Sequence, residues 1–599
     1  MNSINDRLSA LREVMREEHL AAFIFPSTDP HQGEYVPAHW ESRKWITGFN
    51  GSAGTAVVTM TGAALWTDSR YFIAAEEQLR GTEFQLMKER IKGTPTIMEW
   101  LYEEIVIKGE GSNSTEVGID GMCSATEMVE ELIVSLRKNG GITVRTNFDP
   151  MERIWDDRPP IPQNVVEIQP LEYAGETAEE KLARVRAALR HVHADGMLVS
   201  SLDDIAWTLN LRGTDIHCNP VFVSYLLIAT DRATLFVDEA KLTPAVKTYL
   251  EGVGVSVAPY HQVKQGLRDY FEYNILLAPD ETSYTLMQIL DKKRIVREKS
   301  PIPSMKAVKN EQEIQGFKAA MLRDGVAMVQ FLCWIDNHIG NTPLTELAVS
   351  DKLAELRGRQ PLFRDISFDT IAAYQEHGAI VHYEPTPESN VPLKAEGLLL
   401  IDSGAQYQDG TTDITRTIAL GTLTEEQRRV YTLVLKGHIQ LAMLKFPAGA
   451  SGTQLDAVAR QALWAEGLNF LHGTGHGVGS YLNVHEGPQQ IRMEYRPEPM
   501  RAGMTITDEP GIYLQGRFGV RIENTLLTTP YMTTEFGEFL QFESLTLCPI
   551  DVRPVIVEML SKEERQWLDD YHRRVFDALA PHLSEDEITW LKEATQPLG

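Results

Sequence analysis

The feature that most constrains this chain is a set of acidic residues inside otherwise apolar, strand-like runs at 398–524. Asp402 ends the apolar run LLLI, and Asp413 lies in the alternating run TTDITRT after a turn-rich segment. This pattern predicts a β-hairpin with Thr411, Asp413 and Thr415 on one face, because side chains two residues apart on a strand point the same way. We expect Asp402 and Asp413 to lie roughly opposite each other on that hairpin.

A second acidic pair follows in TITDEPGIYLQGRFGVRIEN. Glu509 and Glu523 lie in two short strand-like runs that are joined through Gly516 and Gly519. Between the two pairs, His476 lies in the glycine-rich segment GTGHGVG. Each acid taken alone could be a solvated or capping residue. Two hairpin-like settings around one histidine favour a shared site.

Two Asp, two Glu and one His are the ligands that a pair of divalent cations requires. Because most of these ligands are oxygens, Mn²⁺ is favoured, with Co²⁺ or Zn²⁺ as alternatives. Two metals about 3.5–4 Å apart can hold a bridging hydroxide and polarise the carbonyl that it attacks. The predicted metal ligands are Asp402, Asp413, His476, Glu509 and Glu523.

The segment GTGHGVG superficially suggests a dinucleotide-binding loop. Its glycines contain no G-x-G-x-x-G register, and no strand-to-helix context with a later acidic residue follows. We therefore expect these glycines to let the backbone bend tightly around His476 and approach a substrate.

Four segments closely resemble the metallopeptidases with the pita-bread fold: LLIDSGAQYQDGTTDITRT, LHGTGHGVGSYLNVHEGP, TITDEPGIY and GVRIEN. Within that group the chain resembles the long, three-domain, cytosolic type of Xaa-Pro aminopeptidase. The similarity extends from WITGFNGSAGTAVV near the start to the helical tail. The resemblance implies a metal-dependent aminopeptidase that hydrolyses the N-terminal Xaa-Pro bond of peptides, through a hydroxide bridging two divalent ions.

The resemblance also assigns roles to histidines. His382, in AIVHYEP, and His485, in NVHEGP, match positions that contact the scissile peptide, so both are implied to be catalytic and substrate-binding. They would donate hydrogen bonds to the carbonyl or the developing oxyanion. His476 is placed among the substrate-binding residues as well, and Glu509 is the candidate for carrying a proton to the departing proline nitrogen. His377 has no such match and is expected to be a loop residue.

Two arginines complete the candidate site. Arg521 precedes Glu523 by two residues, so both are expected on the same side of a strand, where an ion pair would orient the carboxylate. Arg521 is also placed among the substrate-binding residues. Arg70, in WTDSRYF, matches a position that reaches toward the substrate from a neighbouring domain; its sequence context alone indicates a surface arginine.

The length of 599 residues argues against a single core. The proline-rich stretch PMERIWDDRPPIP and the segment SPIPSMKAVKN predict domains at 1–155, 156–303 and 304–599, the last with a helical extension from about 551 to 599. SYLLIATDRATLFVD resembles GTAVVTMTGAALWTD, which indicates an internal duplication. The expected fold is α/β (α+β): two related tandem α/β domains with mixed sheets, then a pita-bread catalytic domain.

The net charge and the cysteine spacing limit the partners and the compartment that we expect for this chain. The formal net charge of −27 argues against nucleic acid and anionic membranes, which both prefer a basic surface. The four cysteines show no metal or disulfide spacing, which favours a reduced, cytoplasmic setting. The opening segment predicts an amphipathic helix rather than a signal peptide, and no apolar run is long enough for a membrane span.

The tail leaves two alternatives open. Leu560, Trp567, Leu568 and Tyr571 are spaced so that most could share one helical face. Packed against its own catalytic domain, this face would leave a monomer; buried across a two-fold axis, it would form an isologous dimer. The homodimer is favoured because the tail adds helices that the active site does not obviously need.

Two rival functions remain. The same fold could serve a prolidase restricted to dipeptides or a methionine aminopeptidase, against which the whole-length resemblance argues. A peptide-binding or histone-binding module without catalysis is the other rival. Such modules typically lack the metal ligands, whereas all five are present in this chain.

Overall fold

The computed structural model describes residues 3–109 and 114–598, and the chain divides into two compact units. The first unit comprises Met1–Ile168, Glu176–His217 and Val221–Ile302. The second comprises Gln169–Gly175, Cys218–Pro220 and Pro303–Gly599.

The helices up to residue 302 are mostly short. They are α1 (Ile4–Glu17), α2 (Ser42–Thr47), α3 (Phe72–Gln78), α4 (Ile97–Tyr102), α5 (Thr126–Gly140), α6 (Met151–Ile154), α7 (Leu171–Ala174, in the second unit), α8 (Ala178–His191), α9 (Leu202–Leu209), α10 (Pro244–Gly252), α11 (Val263–Arg268) and α12 (Tyr284–Met287). The strands are β1 (Ala22–Phe25), β2 (Thr55–Thr59), β3 (Ala63–Thr67), β4 (Phe84–Lys88), β5 (Glu116–Ile119), β6 (Thr143–Arg145), β7 (Glu167–Ile168), β8 (Gly196–Val199), β9 (Leu211–Arg212), β10 (Ser224–Ile228), β11 (Ala233–Val237), β12 (Val255–Ala258), β13 (Ile275–Leu276) and β14 (Ile295–Val296).

The first unit contains two six-stranded sheets of the same topology. Their strand orders are β4-β3-β2-β1-β5-β6 and β12-β11-β10-β8-β13-β14. In each sheet the third strand in this order, β2 or β10, pairs antiparallel with both of its neighbours. The other three pairings of each sheet are parallel. The prediction of two related α/β plans with mixed sheets is confirmed. The exact domain boundaries after residues 155 and 303 stay predictions.

Local sequence explains how the first unit begins. Ser3 and Asp6 form a reciprocal capping box at the start of α1, in which each side chain accepts a hydrogen bond from the backbone N–H of the other. Leu8, Leu11 and Met15 then form the buried stripe of this helix. The predicted amphipathic opening helix is therefore present.

A buried polar cluster lies within the first unit around Asp29 and His31. The His31 Nδ1–H donates to the carbonyl oxygen of Ser200 at 2.9 Å, so Nε2 accepts from the Tyr260 hydroxyl at 2.9 Å. Asp29 Oδ1 accepts from the backbone N–H of His31, whereas Oδ2 is buried and accepts no hydrogen bond from the described residues. Burial raises the pKa of Asp29 to about 6 and lowers the pKa of His31 to about 3.

The second unit contains longer helices. They are α13 (Ile302–Ala307), α14 (Glu311–His338), α15 (Glu346–Gly358), α16 (Glu425–Ala442), α17 (Gly452–Trp464), α18 (Lys562–Leu579) and α19 (Glu585–Ala594). Its strands are β15 (Phe363–Ile366), β16 (Ile371–Tyr374), β17 (Leu398–Ser403), β18 (Ala405–Tyr407), β19 (Gly410–Thr411), β20 (Ile414–Ala419), β21 (Lys445–Pro447), β22 (Gly475–Gly477), β23 (Glu486–Ile491), β24 (Thr505–Asp508), β25 (Gly511–Leu514), β26 (Phe518–Arg521), β27 (Asn524–Thr534) and β28 (Gly537–Ser544).

The two predicted tail helices, α18 and α19, pack into their own unit. Leu560, Leu568 and Tyr571 are at most 5% exposed and belong to one core cluster, against which Trp567 packs. The apolar face that favoured a dimer is therefore buried within its own chain, and that argument for a dimer fails. The oligomeric state itself stays a prediction.

Within the described residues, no helix is both long enough and apolar enough to cross a membrane.

Candidate metal centre

The first acidic pair lies at the end of an antiparallel strand pair. β17 pairs with β20, and Asp402 lies opposite Thr415 in this register. Asp413 immediately precedes β20. The predicted hairpin is present, but the continuous strand expected from Thr411 is interrupted, because Thr411 belongs to the separate short strand β19. Asp402 and Asp413 therefore lie at the same end of the β17–β20 pair, but Thr415 and not Asp413 is directly opposite Asp402.

The second acidic pair lies where two strand ladders meet. β24 pairs with β27, and β25 pairs with β26, all in antiparallel directions. Glu509 lies between β24 and β25, and Glu523 lies between β26 and β27. The two ladders are separated by a short unpaired break. Glu509 lies on one strand of this break and Glu523 lies on the other.

The two glycines expected to join this pair have different roles. Gly516 lies in the turn between β25 and β26 with a φ of 69°, which favours glycine. Gly519 lies inside β26 instead. A Cβ there would come within 1.7 Å of the Gly378 carbonyl oxygen, so Gly519 allows a close approach of two backbone segments.

The structure brings the predicted ligand atoms together. Asp413, His476 and Glu523 each offer an atom, and these atoms all lie within 4.8 Å of one another. His476 Nε2 lies 3.5 Å from Asp413 Oδ2 and 3.4 Å from Glu509 Oε1. Asp402 is close enough for its charge to act on Asp413, Glu509 and Glu523.

The ring of His476 is oriented by the backbone around it. Its Nδ1–H donates to the Gly477 carbonyl at 2.9 Å, so the Nε2 lone pair points toward the carboxylates. Gly475 allows this strand to lie against β24, because a Cβ would come within 1.9 Å of the Thr507 carbonyl oxygen. Gly475 therefore serves close packing beside His476, and the predicted approach of these glycines to a substrate stays a prediction.

The electrostatics of the cluster favour a bound cation. Burial, and then repulsion from neighbouring carboxylates, raises the pKa of Asp413 and of Glu523 well above the ordinary range. Burial raises the pKa of Glu509 to about 7. Asp402 Oδ1 and Glu523 Oε1 are buried and accept no hydrogen bond from the described residues. Clustered acidic oxygens without donors fit hard divalent ions.

Arg521 pairs with a different acid from the one expected. Its Nε and Nη2 donate to Asp402 Oδ2 at 3.1 and 2.6 Å. The predicted ion pair with Glu523 gives way to this one because Arg521 ends β26, whereas Glu523 lies beyond it in the ladder gap. Glu523 Oε2 instead accepts from the Thr415 hydroxyl at 2.7 Å.

The other predicted residues divide into two groups. His485 lies beside the cluster: its ring centroid is 4.5 Å from that of His476, and the rings are nearly perpendicular. His382 is half-buried in a turn, and the hydroxyl of the next residue, Tyr383, donates to Glu346 at 2.8 Å. Arg70 belongs to the first unit, where it pairs with Asp68 at 2.8 Å. Substrate contact by His382 and Arg70 stays a prediction.

His377, expected to be a simple loop residue, is more constrained than that. Its Nδ1 lies 2.8 Å from Glu346 Oε1, and its ring stacks on Tyr383 with centroids 4.4 Å apart. His377 and Tyr383 thus fix the turn that carries His382.

A chain of hydrogen bonds that no sequence pattern predicted supports Asp402 through Arg521. Tyr513 accepts from Arg521 Nη1 at 2.8 Å. His472 donates through Nδ1 to the Gly473 carbonyl, so its Nε2 accepts from the Tyr513 hydroxyl at 2.8 Å. Their positions, four residues before His476 and four after Glu509, were the available signal.

A second missed residue is Arg416, which is fully buried. It donates to the backbone carbonyl of Glu523 at 2.6 Å and to the Tyr571 hydroxyl at 3.1 Å. Helix α18 of the tail is thereby joined to the backbone of a candidate ligand.

Family models match most of the chain. The description "Creatinase/Prolidase N-terminal domain" fits residues 7–143 and again residues 157–313. "Metallopeptidase family M24" fits residues 315–530, and the "C-terminal region of peptidase_M24" fits residues 538–598.

Similar proteins extend over the whole length. The chain is 41% identical to a probable Xaa-Pro aminopeptidase P of Aspergillus niger, covering 99% of each chain. It is 39% identical to Xaa-Pro aminopeptidase 1 of Dictyostelium discoideum, covering 100% of this chain and 97% of that one. The crystal structure of the Caenorhabditis elegans X-prolyl aminopeptidase, described as a cytosolic enzyme with a dinuclear active site, matches with a TM-score of 0.95 at 35% identity over 100% of both chains. This chain therefore belongs to metallopeptidase family M24, as an enzyme of the Xaa-Pro aminopeptidase group.

Proposed function

We propose that this enzyme removes the first residue of peptides whose second residue is proline, with two divalent ions held by Asp402, Asp413, His476, Glu509 and Glu523. The observation that carries the proposal is the convergence of Asp413, His476 and Glu523 ligand atoms within 4.8 Å. Four carboxylates would balance the charge of two divalent cations. Mn²⁺ is the preferred ion because oxygens dominate this set, and Co²⁺ or Zn²⁺ are the alternatives.

The metal ions and the protein have separate tasks in the reaction. Two bound ions would supply a bridging hydroxide as nucleophile and would polarise the scissile carbonyl. His476 binds through Nε2, since its Nδ1–H is engaged by the Gly477 carbonyl. Arg521 donates to Asp402 Oδ2, so that Asp402 Oδ1 is available to a metal ion.

Two histidines are proposed to act on the substrate carbonyl. His485 packs on the ring of His476, so a donor on its ring lies at the edge of the metal centre. His382 is proposed to approach the same carbonyl from its constrained turn. Each would donate a hydrogen bond that strengthens as negative charge develops on the oxygen.

Glu509 is the proposed proton carrier. Its Oε1 lies 3.4 Å from His476 Nε2, so the carboxylate is within the cluster where the nucleophile would lose its proton. Its Oε1 also accepts from the Thr507 hydroxyl at 3.2 Å, which limits its rotation. Glu509 would return the proton to the proline nitrogen when the peptide bond breaks.

Proline specificity follows from the bond that is cut. The Xaa-Pro peptide bond has no N–H, and the proline ring fixes φ near −65°. A site that reads an extended chain through that N–H would bind such a peptide poorly. Arg70 is proposed to contact the substrate.

We also propose a cytoplasmic homodimer. Four free cysteines are compatible with a reducing compartment. Because the tail face is internal, a dimer would use other exposed apolar side chains of the second unit, such as Trp464, Leu471 or Phe536. Light scattering tests this: the homodimer predicts twice 67.4 kDa at micromolar concentration, and a monomer mass contradicts it.

The central experiment pairs metal analysis with turnover. Protein loaded with Mn²⁺ is expected to bind two equivalents and to release only the first residue of an Xaa-Pro-Pro tripeptide. A chelator should abolish release, and added Mn²⁺ should restore it. A matched Xaa-Ala-Pro tripeptide is the control and should remain uncut. Cleavage restricted to Xaa-Pro dipeptides would identify a prolidase instead, and two bound ions without turnover would favour a binding module.

A further inference from the structure

A buried cluster of three charged side chains includes Glu486, the residue that follows His485. The side chains of Lys306, Lys309 and Glu486 are 8%, 0% and 1% exposed. Lys309 Nζ pairs with Glu486 Oε1 and also donates to the Lys306 carbonyl at 3.0 Å. Lys306 Nζ lies 3.5 Å from Glu486 Oε2. Lys309 therefore holds one carboxylate oxygen, and Lys306 lies within ion-pair range of the other, which accepts no hydrogen bond from the described residues.

The position of Glu486 gives this cluster access to the metal centre. Glu486 directly follows His485 and begins β23. In the irregular pairing of β22 with β23, it lies opposite Gly477, whose carbonyl accepts the Nδ1–H of His476. One end of β23 therefore contacts the residue that orients His476 and also carries His485.

The position of the His485 ring relative to the His476 ring depends on the backbone at the start of β23. Their ring centroids are 4.5 Å apart at an interplanar angle of 88°. A rotation of the first residue of β23 would move the His485 ring relative to His476. The ion pair restrains that residue through its own side chain, from a segment 177 residues earlier in the sequence.

Burying these charges costs desolvation free energy. Apolar side chains could anchor the strand without that cost. Apolar residues of similar volume commonly replace a buried ion pair without loss of stability. A charged anchor differs from an apolar one because it fixes direction as well as distance. We propose that Glu486 and Lys309 are positioning residues that set the orientation of His485 against His476. The catalytic consequence rests on the proposed role of His485 as a donor to the substrate carbonyl.

The first test separates positioning from stability. In the triple variant K306M/K309M/E486M all three buried charges are replaced by apolar side chains. Lys306 is then not left buried beside a lost carboxylate, so the melting temperature of the variant is expected to stay near that of the parent. Its kcat for an Xaa-Pro-Pro tripeptide is expected to fall about 10- to 100-fold, with KM changed by less than about threefold. A normal kcat together with a normal melting temperature would show a purely structural pair and overturn the proposal.

Variant E486D guards against failure of the triple variant to fold. It keeps both charges but withdraws the carboxylate by one methylene, so it should fold and still lose kcat. The conservative variant K309R should retain more activity than K309M, because it preserves a donor to the carboxylate. Equal kcat in E486D and the parent would contradict positioning.

A structural readout does not depend on activity. A crystal structure of K306M/K309M/E486M without added metal is expected to show the His485 ring displaced from its perpendicular contact with His476. An unchanged contact overturns the inference even if the parent enzyme proves inactive on proline peptides. Conversely, an inactive parent with a displaced ring in the variant refutes the proposed function alone.

A matched control comes from the same unit. Lys436 pairs with Glu564 at 2.7 Å between α16 and α18, and the side chains are 18% and 6% exposed. K436M/E564Q removes a comparable ion pair, while the amide oxygen introduced at position 564 keeps an acceptor for the Ser561 backbone N–H at the start of α18. It should leave kcat and the His476–His485 contact unchanged; a similar loss of kcat would show that any lost pair lowers activity and would overturn the proposal.

Discussion

The guanidinium of Arg521 donates two hydrogen bonds to one oxygen of Asp402, while the other oxygen of that carboxylate accepts none from the described residues. Arg521 therefore occupies Oδ2 and leaves the buried Oδ1 of Asp402 available to a cation. The contact uses the planar fork of arginine, which a lysine cannot reproduce.

Arg521→Lys therefore tests this support. The lysine keeps the positive charge but loses the paired donors, so we expect metal affinity or kcat to fall about 10- to 100-fold. Metal titration and steady-state kinetics measure the change. Arg517→Lys is the matched control, because Arg517 lies in the same hairpin on the surface, paired with Glu426. Equal behaviour of the two variants would contradict the role of the fork.

Asp413→Ala and Glu523→Gln test the metal ligands. Each residue is expected to bridge both ions, so either change should abolish binding of both rather than one. Metal content of purified protein measures the stoichiometry. Asp365→Asn, an exposed acid of the same unit, is the control and should keep both ions. Two equivalents of metal and normal turnover in Asp413→Ala would refute the assignment.

His382→Ala and His485→Ala test the proposed donors. Both variants should retain two metal ions, since neither residue is a proposed ligand. Their kcat should fall by about 10²–10³, the usual effect of losing one oxyanion donor. Exposed His582→Ala provides the control. Loss of an ion from either variant would make that histidine a ligand instead.

Asp29→Asn tests the buried cluster of the first unit through pH. The folded state holds the pKa of Asp29 near 6, above its ordinary value, so the proton binds the folded state more tightly than the unfolded state. Asp29 therefore adds stability as pH falls through 6, and that contribution is lost as pH rises. Relative to the parent, Asp29→Asn should gain about 2 kcal/mol in free energy of unfolding between pH 4 and pH 7.5.

Urea denaturation across this pH range measures the difference between variant and parent. Exposed Asp231→Asn, whose side chain is 79% accessible, is the control and should give a flat difference. The opposite slope for Asp29→Asn would mean that the carboxylate is stabilised in its charged form by the fold.

Sequence patterns predicted the parts of this site that depend on local periodicity. Acids inside apolar strand runs pointed to Asp402, Asp413, Glu509 and Glu523, because such residues need compensation. The partner of Arg521 was mispredicted, since strand spacing favours a neighbour two residues away, whereas Asp402 is 119 residues distant. Side-chain direction across separate strand ladders is a tertiary property that no local pattern contains.

The same limit explains the tail. Helical spacing correctly predicted an apolar face around Leu568 and Tyr571, but an apolar face is equally compatible with a partner subunit and with the chain's own core. The hydrogen bond of Tyr571 to buried Arg416 is what decides between them. Local sequence patterns also could not predict the Lys309–Glu486 pair, because its members are 177 residues apart.

The contact from Tyr571 through Arg416 to the Glu523 backbone has a consequence for biosynthesis. All five candidate ligands are translated before α18. A nascent chain can therefore expose every ligand while the core beneath Glu523 is still incomplete. Peptidase activity should appear only after release of α18 from the exit tunnel, so the newly made enzyme is expected to be silent toward peptides until that point.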